Sequence, residues 1–279
     1  MNCKDYLVSN ESFELIPNTE HGYLITTPQP EPNELPKYYD SPQYISHTDS
    51  YKTFTEKLYG IVKQYNLKHK KNIIEKYHPT AKSILDIGCG TGEFIFHCQE
   101  NYEVFGTEPN LKAQAIGLNK KLKIYNTIEQ LPERKYSVIT LWHVLEHIPN
   151  LQETIQKIKL LLEPDGIVII AVPNHRSYDA QYYGSTWAAY DVPRHLWHFD
   201  KSSITSLLQS FELNVVKILP MIFDAFYVSL LSEKNKNGKN NFLKAMLTGL
   251  TSNIKALQNH EYSSLIYVVH KQKKANKSV

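Results

Sequence analysis

From Ser83 onward, short apolar runs rich in β-branched residues alternate with stretches whose apolar positions recur at helical spacing. SILDIG, YEVFGTE, LKIYN, SVITLW and GIVIIAVP have the length and composition of strands, with helices expected after Gly92, after Asn110 and over Leu151 to Leu162. FELNVVKILP and SSLIYVVHKQ add two strands near the C-terminus, and a helix is expected from Lys201 to Gln209, capped by Asp200 or Ser202. Strand and helix in strict alternation predict an α/β fold: a doubly wound, mostly parallel sheet of about seven strands with helices on both faces. MIFDAFYVSLL and NFLKAMLTGL are amphipathic helices expected to roof a pocket or pack on the sheet.

The first 48 residues break this pattern. PQPEPNELP holds four prolines, and YYDSPQYISH follows, so irregular chain is expected there. Phe54, Leu58, Ile61, Val62 and Tyr65 then mark a helix from about Ser50 to Tyr77, ended by HPT. Residues 1–80 are accordingly an N-terminal cap segment and residues 81–279 the main domain, with an insertion at 174–200 after the fifth strand. EKNKNGKNN, from Glu233 to Asn241, has the composition of an exposed loop.

Composition narrows the function classes. A formal charge of +3 in 279 residues is too small to point to nucleic acid or an acidic membrane. Cys3, Cys89 and Cys98 are an odd set without CxxC spacing, which fits free thiols in a reducing, cytoplasmic setting. The N-terminus lacks the apolar core of a signal peptide, MIFDAFYVSLL is too short to span a bilayer, and the basic tail from His270 has the character of a solvated terminus. No membrane or nucleic-acid partner is expected, and no feature sets an oligomeric state.

The chemistry starts where SILDIG runs into CGTGEF. Gly88, Gly90 and Gly92 allow a tight turn and close approach of a ligand at the carboxyl edge of the sheet, beside Asp86. A dinucleotide fingerprint needs glycine at position 93, where Glu93 stands, and pyrophosphate beside Glu93 and Asp86 would meet like charge. Glu108, ending the next strand, is placed to accept bonds from two ribose hydroxyls. An adenosine ligand suits this order of strand, GxGxG, helix, strand and acid.

In these motifs the sequence resembles the class I S-adenosylmethionine-dependent methyltransferases, over about Lys82 to Pro173 and more loosely to the C-terminus. ILDIGCGTGEF, GTEPN, YNTIEQLP, YSVITLWHVLEHIPN and LLEPDGIVIIAVPN carry the resemblance. It implies a seven-stranded sheet with the last strand antiparallel and S-adenosylmethionine as cofactor. Asp86, Gly88, Gly90 and Gly92 would surround its methionine portion and Glu108 would hold the ribose. Thr127 stands where many members have an aspartate for adenine, leaving the backbone at Ile128 to meet the ring. Trp142 would offer an aromatic face to the sulfonium.

Methyl transfer needs alignment, exclusion of water and, for a hydroxyl acceptor, a base. His143, Glu146 and His147 in HVLEH share one side of a turn, and His143 is the first candidate base. HVLEH is similar to the metal turn of ubiquinone-type O-methyltransferases, which have glutamate at the position of His143; cofactor lining or structure is preferred here, with no metal assigned. WAAYDVPRHLWHF, Trp187 to Phe199, follows the fifth strand and is expected to wall the acceptor pocket. A related bacterial group has a similar PRHLxHF element and a YY…Y.SH pattern, here Tyr38, Tyr39, Tyr44, Ser46 and His47. His195 and His198 form HxxH without an evident third ligand, so packing is favoured over metal. Arg194 either pairs with a carboxylate such as Asp191 or clamps an acidic acceptor. His147, His175, Arg194 and His195 are the acceptor-side candidates, with Tyr178, Tyr182 and Tyr183 near the same mouth. The expected function is methylation of a small molecule, O-methylation foremost; the alternative is a cofactor-binding regulatory or scaffold protein without turnover.

Overall fold

The computed structural model describes residues 1–39 and 54–272, apart from the side chains of residues 54–59 and 61. Tyr44, Ser46 and His47, the start of the helix expected from Ser50, its Phe54, Leu58 and Ile61 side chains, and most of the basic tail therefore lie outside the described residues.

The main sheet has seven strands: β4 (Ser83–Ile87), β5 (Glu103–Thr107), β6 (Lys123–Tyr125), β7 (Tyr136–Trp142), β8 (Leu162–Pro173), β10 (Leu213–Pro220) and β11 (Ser264–Lys271). Their order is β10-β11-β8-β7-β4-β5-β6, and β11 runs antiparallel to both neighbours. The expected topology is thus present. All five residues of β4 are buried, as a central parallel strand covered on both faces requires. Leu85, Ile87, Ile139, Leu141 and Ile170 join the core on one face, and Ile84, Val138, Ile167 and Ile169 that on the other. One register places alternate side chains in two cores.

Helix α1 (Phe54–Tyr77) precedes the sheet, and α2 (Glu93–Cys98), α3 (Leu111–Asn119) and α4 (Leu151–Leu161) connect its parallel strands. Within the insertion, α5 (Tyr178–Tyr183) is capped by the Ser177 hydroxyl, which accepts from Ala180 N. Helix α6 (Lys201–Ser210) begins in a capping box in which the Asp200 carboxylate accepts from Ser203 N, choosing Asp200 over Ser202 as cap. Helices α7 (Asp224–Asn237) and α8 (Phe242–Asn259) fill the connection from β10 to β11.

Two expectations are overturned. Residues 1–48 are not all irregular: β1 (Asn2–Lys4), β2 (Ser12–Pro17) and β3 (Leu24–Thr27) form a second sheet with β9 (Trp197–His198) of the insertion. Phe13 and Leu15 alternate inward along β2, a period of two that the later proline cluster obscures. The stretch expected as a loop from Glu233 is helical to Asn237 and stops at Gly238, whose φ of +68° ends α7.

Candidate active site

The loop after β4 turns at Gly88, Gly90 and Gly92, all at positive φ. A Cβ on Gly88 would stand 2.5 Å from Val144 Cγ2, so the loop and the turn after β7 approach too closely for any other residue. A Cβ on Gly90 would meet nothing within 4 Å. The loop therefore keeps open room on the ligand side and contact on the protein side.

Glu108 closes this loop. Its Oε2 accepts from Gly90 N at 2.9 Å and its Oε1 from Asn110 N at 2.8 Å. Each oxygen retains acceptor capacity, so the carboxylate is oriented by the backbone before any ribose hydroxyl arrives. Asp86, buried within β4, accepts from the Thr140 hydroxyl at 2.6 Å. Desolvation pushes its carboxyl up to about 7, against the opposing pull of that bond and of Lys70.

Further along the same edge, Thr127 precedes the short turn Ile128–Gln130, and neighbouring Asn126 has a buried Oδ1 with no hydrogen-bond partner. At the end of β7, Trp142 packs edge-on against Phe94, and its buried Nε1 is unpartnered. Lys70 Nζ sits 4.4 Å from the centroid of the Trp142 ring. The aromatic face expected to receive a sulfonium already carries a cation of the protein itself. Lys70 also borders a cavity of about 100 Å3 formed by Tyr65, His69, Met221, Phe223 and Asp224 among others.

His143 is held differently from a free base. Its φ of +57° is unusual for a side-chain-bearing residue, and its N–H donates to Ala171 O at 2.9 Å. The ring lies between two carboxylates, Nε2 3.1 Å from Asp224 Oδ2 and Nδ1 3.4 Å from Glu146 Oε1. Although burial alone would lower its proton affinity, those two partners prevail and raise the imidazolium to about 10. His143 is therefore a fixed cation near neutrality, with no lone pair to offer as the expected base.

His147 lies on the other side of Glu146. Its Nδ1 is 3.1 Å from Arg194 O and 3.0 Å from the Tyr39 hydroxyl. A proton on Nδ1 satisfies both oxygens and leaves the lone pair on Nε2. His195 packs edge-on against this ring with centroids 4.4 Å apart, its Nδ1 donating to Ala189 O at 2.9 Å. Burial drives its proton affinity well down, so it is neutral. Glu146 is 1% exposed, and neither of its carboxylate oxygens has a hydrogen-bond partner. Ligand atoms of Glu146, His147 and His195 all lie within 4.8 Å of one another. Neither HVLEH nor HxxH closes on itself; two donors of the first and one of the second converge, a mixed oxygen and imidazole set that a transition metal could use.

The rest of HxxH is structural. The single hydrogen of the Thr26 hydroxyl goes to His195 O at 2.6 Å, so His198 Nε2 must donate to Thr26 Oγ1 at 2.9 Å. Arg194 is 1% exposed and spent on protein partners: Asp191 through Nε and Nη2, Asp5 through Nη2, and Tyr38 O through Nη1. Of its two expected roles, only the carboxylate partner has the geometry; no face remains for an acceptor. His175 lies in a narrow crevice with His195, Trp197 and His198, and its buried Nε2 makes no hydrogen bond but stands 3.9 Å from Asp200 Oδ2. No motif or spacing in the sequence marks Asp5, Lys70 or Asn126 as site residues. Asp224 was visible as a lone acid in an apolar run, and that isolation was its signal.

Residues 60–218 match the family model described as a methyltransferase domain. Two curated relatives are ubiquinone biosynthesis O-methyltransferases. The one from Rickettsia typhi is 29% identical over 187 residues, covering 60% of this chain and 76% of the relative. That from Rickettsia bellii is 27% identical over 221 residues, covering 69% and 85%. Among solved structures, an O-methyltransferase of a trans-AT polyketide synthase from Brevibacillus brevis, in complex with S-adenosylhomocysteine, superposes with a TM-score of 0.50. It shares 17% identity and covers 76% of this chain and 74% of that one, a likeness of fold. With the family model spanning more than half of the chain and the loop, strand order and edge acid in place, the chain belongs to the methyltransferase-domain family and is a class I S-adenosylmethionine-dependent methyltransferase.

Proposed function

We propose that the protein transfers a methyl group from S-adenosylmethionine to a hydroxyl of a small, aromatic or quinone-like molecule. The observation that carries this reading is Glu108, held by Gly90 N and Asn110 N beside a loop with open room at Gly90. Asp86, Gly88, Gly90 and Gly92 would hold the methionine portion, Glu108 the ribose, and the Asn126 to Ile128 segment the adenine. The unpartnered Asn126 Oδ1 can accept from an exocyclic amine, while the Thr127 hydroxyl donates to Glu129. Lys70 supplies a cation for a cofactor carboxylate. The cofactor brings an activated methyl group; the protein aligns and dries the site.

His147 is the residue proposed to take the hydroxyl proton, at Nε2. The buried carboxylate of Glu146 beside it, which makes no hydrogen bond and faces His143 at 3.4 Å, stabilises the imidazolium that results, and Arg194 O and Tyr39 hold the ring in place. His195 and His175 wall the acceptor side, with Arg194 setting the loop rather than touching the acceptor. The likeness to ubiquinone biosynthesis O-methyltransferases supports an oxygen nucleophile. Nothing in the site favours the scaffold alternative, since cofactor loop, edge acid and base candidate are all present. Three free, buried thiols fit a cytoplasmic setting.

The test is a screen of phenolic and quinol acceptors for S-adenosylhomocysteine release. Turnover of a phenol that His147→Ala abolishes supports the reading; methylation confined to amines would overturn it.

A further inference from the structure

Helix α8 is built inside out. Ala245, Gly249, Ser252 and Ala256 face the body of the protein, where Gly249 lies so close to α7 that a Cβ would stand 2.8 Å from Phe226. The large apolar residues Phe242, Leu243, Leu247, Leu250, Ile254 and Leu257 face outward, each 49–70% exposed. From Leu243 the spacing is four, three, four, three, one continuous stripe down the helix. This reverses the expectation that the apolar residues of NFLKAMLTGL pack inward. A stripe of this length exceeds the scattered apolar exposure of ordinary surfaces and marks a contact face.

Charge identifies what covers it. Between Lys234 and His260 there are five lysines and no acid, within a chain whose whole formal charge is +3. Lys244 and Lys255 each follow a stripe residue by one position, on one flank. Tyrosines of α5 hold them there: Lys236 and Lys244 over Tyr182 at 5.1 and 5.8 Å, Lys255 over Tyr178 at 3.8 Å. A second copy would bring a like-charged flank against this one. An apolar stripe edged by cations, with no acid on the helix itself and the one paired to Lys244, Glu233 at 3.6 Å, sealed from solvent, instead complements an anionic lipid surface, with the stripe in the acyl boundary and the ammoniums at the headgroups.

We infer that α8 docks this enzyme peripherally on an anionic lipid bilayer. No described helix is long and apolar enough to cross a membrane, so the contact is with one leaflet. The inference does not depend on the identity of the methyl acceptor.

The full-length protein should co-sediment with vesicles of phosphatidylcholine and phosphatidylglycerol, far less with phosphatidylcholine alone, and lose binding as salt rises. Leu250→Glu with Ile254→Glu, both exposed, should cut partitioning at least about tenfold while calorimetric binding of S-adenosylmethionine is unchanged. Lys244→Gln with Lys255→Gln should weaken it by roughly fivefold per lysine and flatten the salt dependence. Failure of the wild type to bind either vesicle would overturn the inference. So would sedimentation equilibrium showing a wild-type dimer that the Leu250→Glu, Ile254→Glu variant dissociates, which would assign the stripe to a second copy.

Discussion

Arg194 Nη2 lies 2.9 Å from Asp5 Oδ1, across 189 positions of the chain, with both side chains essentially sealed from solvent. Asp5 also accepts from Leu7 N and Ser9 N, and Arg194 grips Asp191 and Tyr38 O. One ionic cluster thus fastens the N-terminal sheet to the insertion proposed to wall the acceptor side. Asp5→Ala leaves the guanidinium short of a buried partner and should cost about 3–5 kcal/mol in urea unfolding at neutral pH. Replacing both Asp5 and Arg194 by apolar residues should cost less than the two single changes added together. The Asp5 carboxyl is held down to about 2 despite desolvation, chiefly by Arg194 and the Ser9 amide. Its contribution is therefore complete above the unfolded value near 3.8 and is lost as pH falls toward 2. An acid-unfolding profile unchanged by Asp5→Ala would refute this.

The main sheet was legible because its central strands β4 and β7 and the second half of β8 are buried on both faces and so show as apolar runs. The cofactor loop was legible because its glycines and Glu108 sit in fixed order around one strand turn. What the chain does at long range was not. Nothing local announces that Asp5 meets Arg194, that His143 turns to Asp224, or that Glu146 and His147 share a space with His195. Helix α8 shows the same limit differently. Its two stripes, one of small residues and one of large, are both periodic, and sequence alone does not say which faces in.

Glu108→Ala should weaken S-adenosylmethionine binding by roughly ten- to a hundredfold in calorimetric titration, the worth of one or two charge-assisted bonds. Because the carboxylate also holds Gly90 N and Asn110 N, Glu108→Gln should recover part of the loss through its remaining carbonyl oxygen. Tight binding of a nicotinamide dinucleotide by the wild type would contradict the assignment of the loop.

His147 and His143 can be separated by kinetics. His147→Ala should lower kcat about 10²–10⁴-fold with cofactor affinity unchanged, as loss of a general base does. His143→Asn removes the cation between Asp224 and Glu146, so its main effect should be on stability, in the range of about 2–4 kcal/mol. Equal loss of kcat in a folded, cofactor-binding His143→Asn protein would return the base to His143.

Asp86 makes a pH prediction of opposite sign to Asp5. Its folded carboxyl sits at about 7 because burial disfavours the anion more than Thr140 and Lys70 favour it. Folding therefore binds a proton, and the stability that goes with it is present below the unfolded value near 3.8 and lost as pH rises through 7. Asp86→Asn keeps an oxygen for the Thr140 hydroxyl and has no charge to bury. In the absence of cofactor its stability relative to wild type should climb from near parity at pH 4 to a gain of about 1–4 kcal/mol at pH 8, the upper figure being the full pKa difference. Cofactor affinity should move the other way, because a carboxylate kept uncomfortable in the apo protein is relieved by a cationic ligand and a carboxamide is not. Denaturant melts of both proteins at the two pH values, with S-adenosylmethionine titrated into each, measure both halves. A stability difference that does not change with pH would mean that Asp86 is already ionised in the folded protein, and the trade between stability and binding at this position would fall with it.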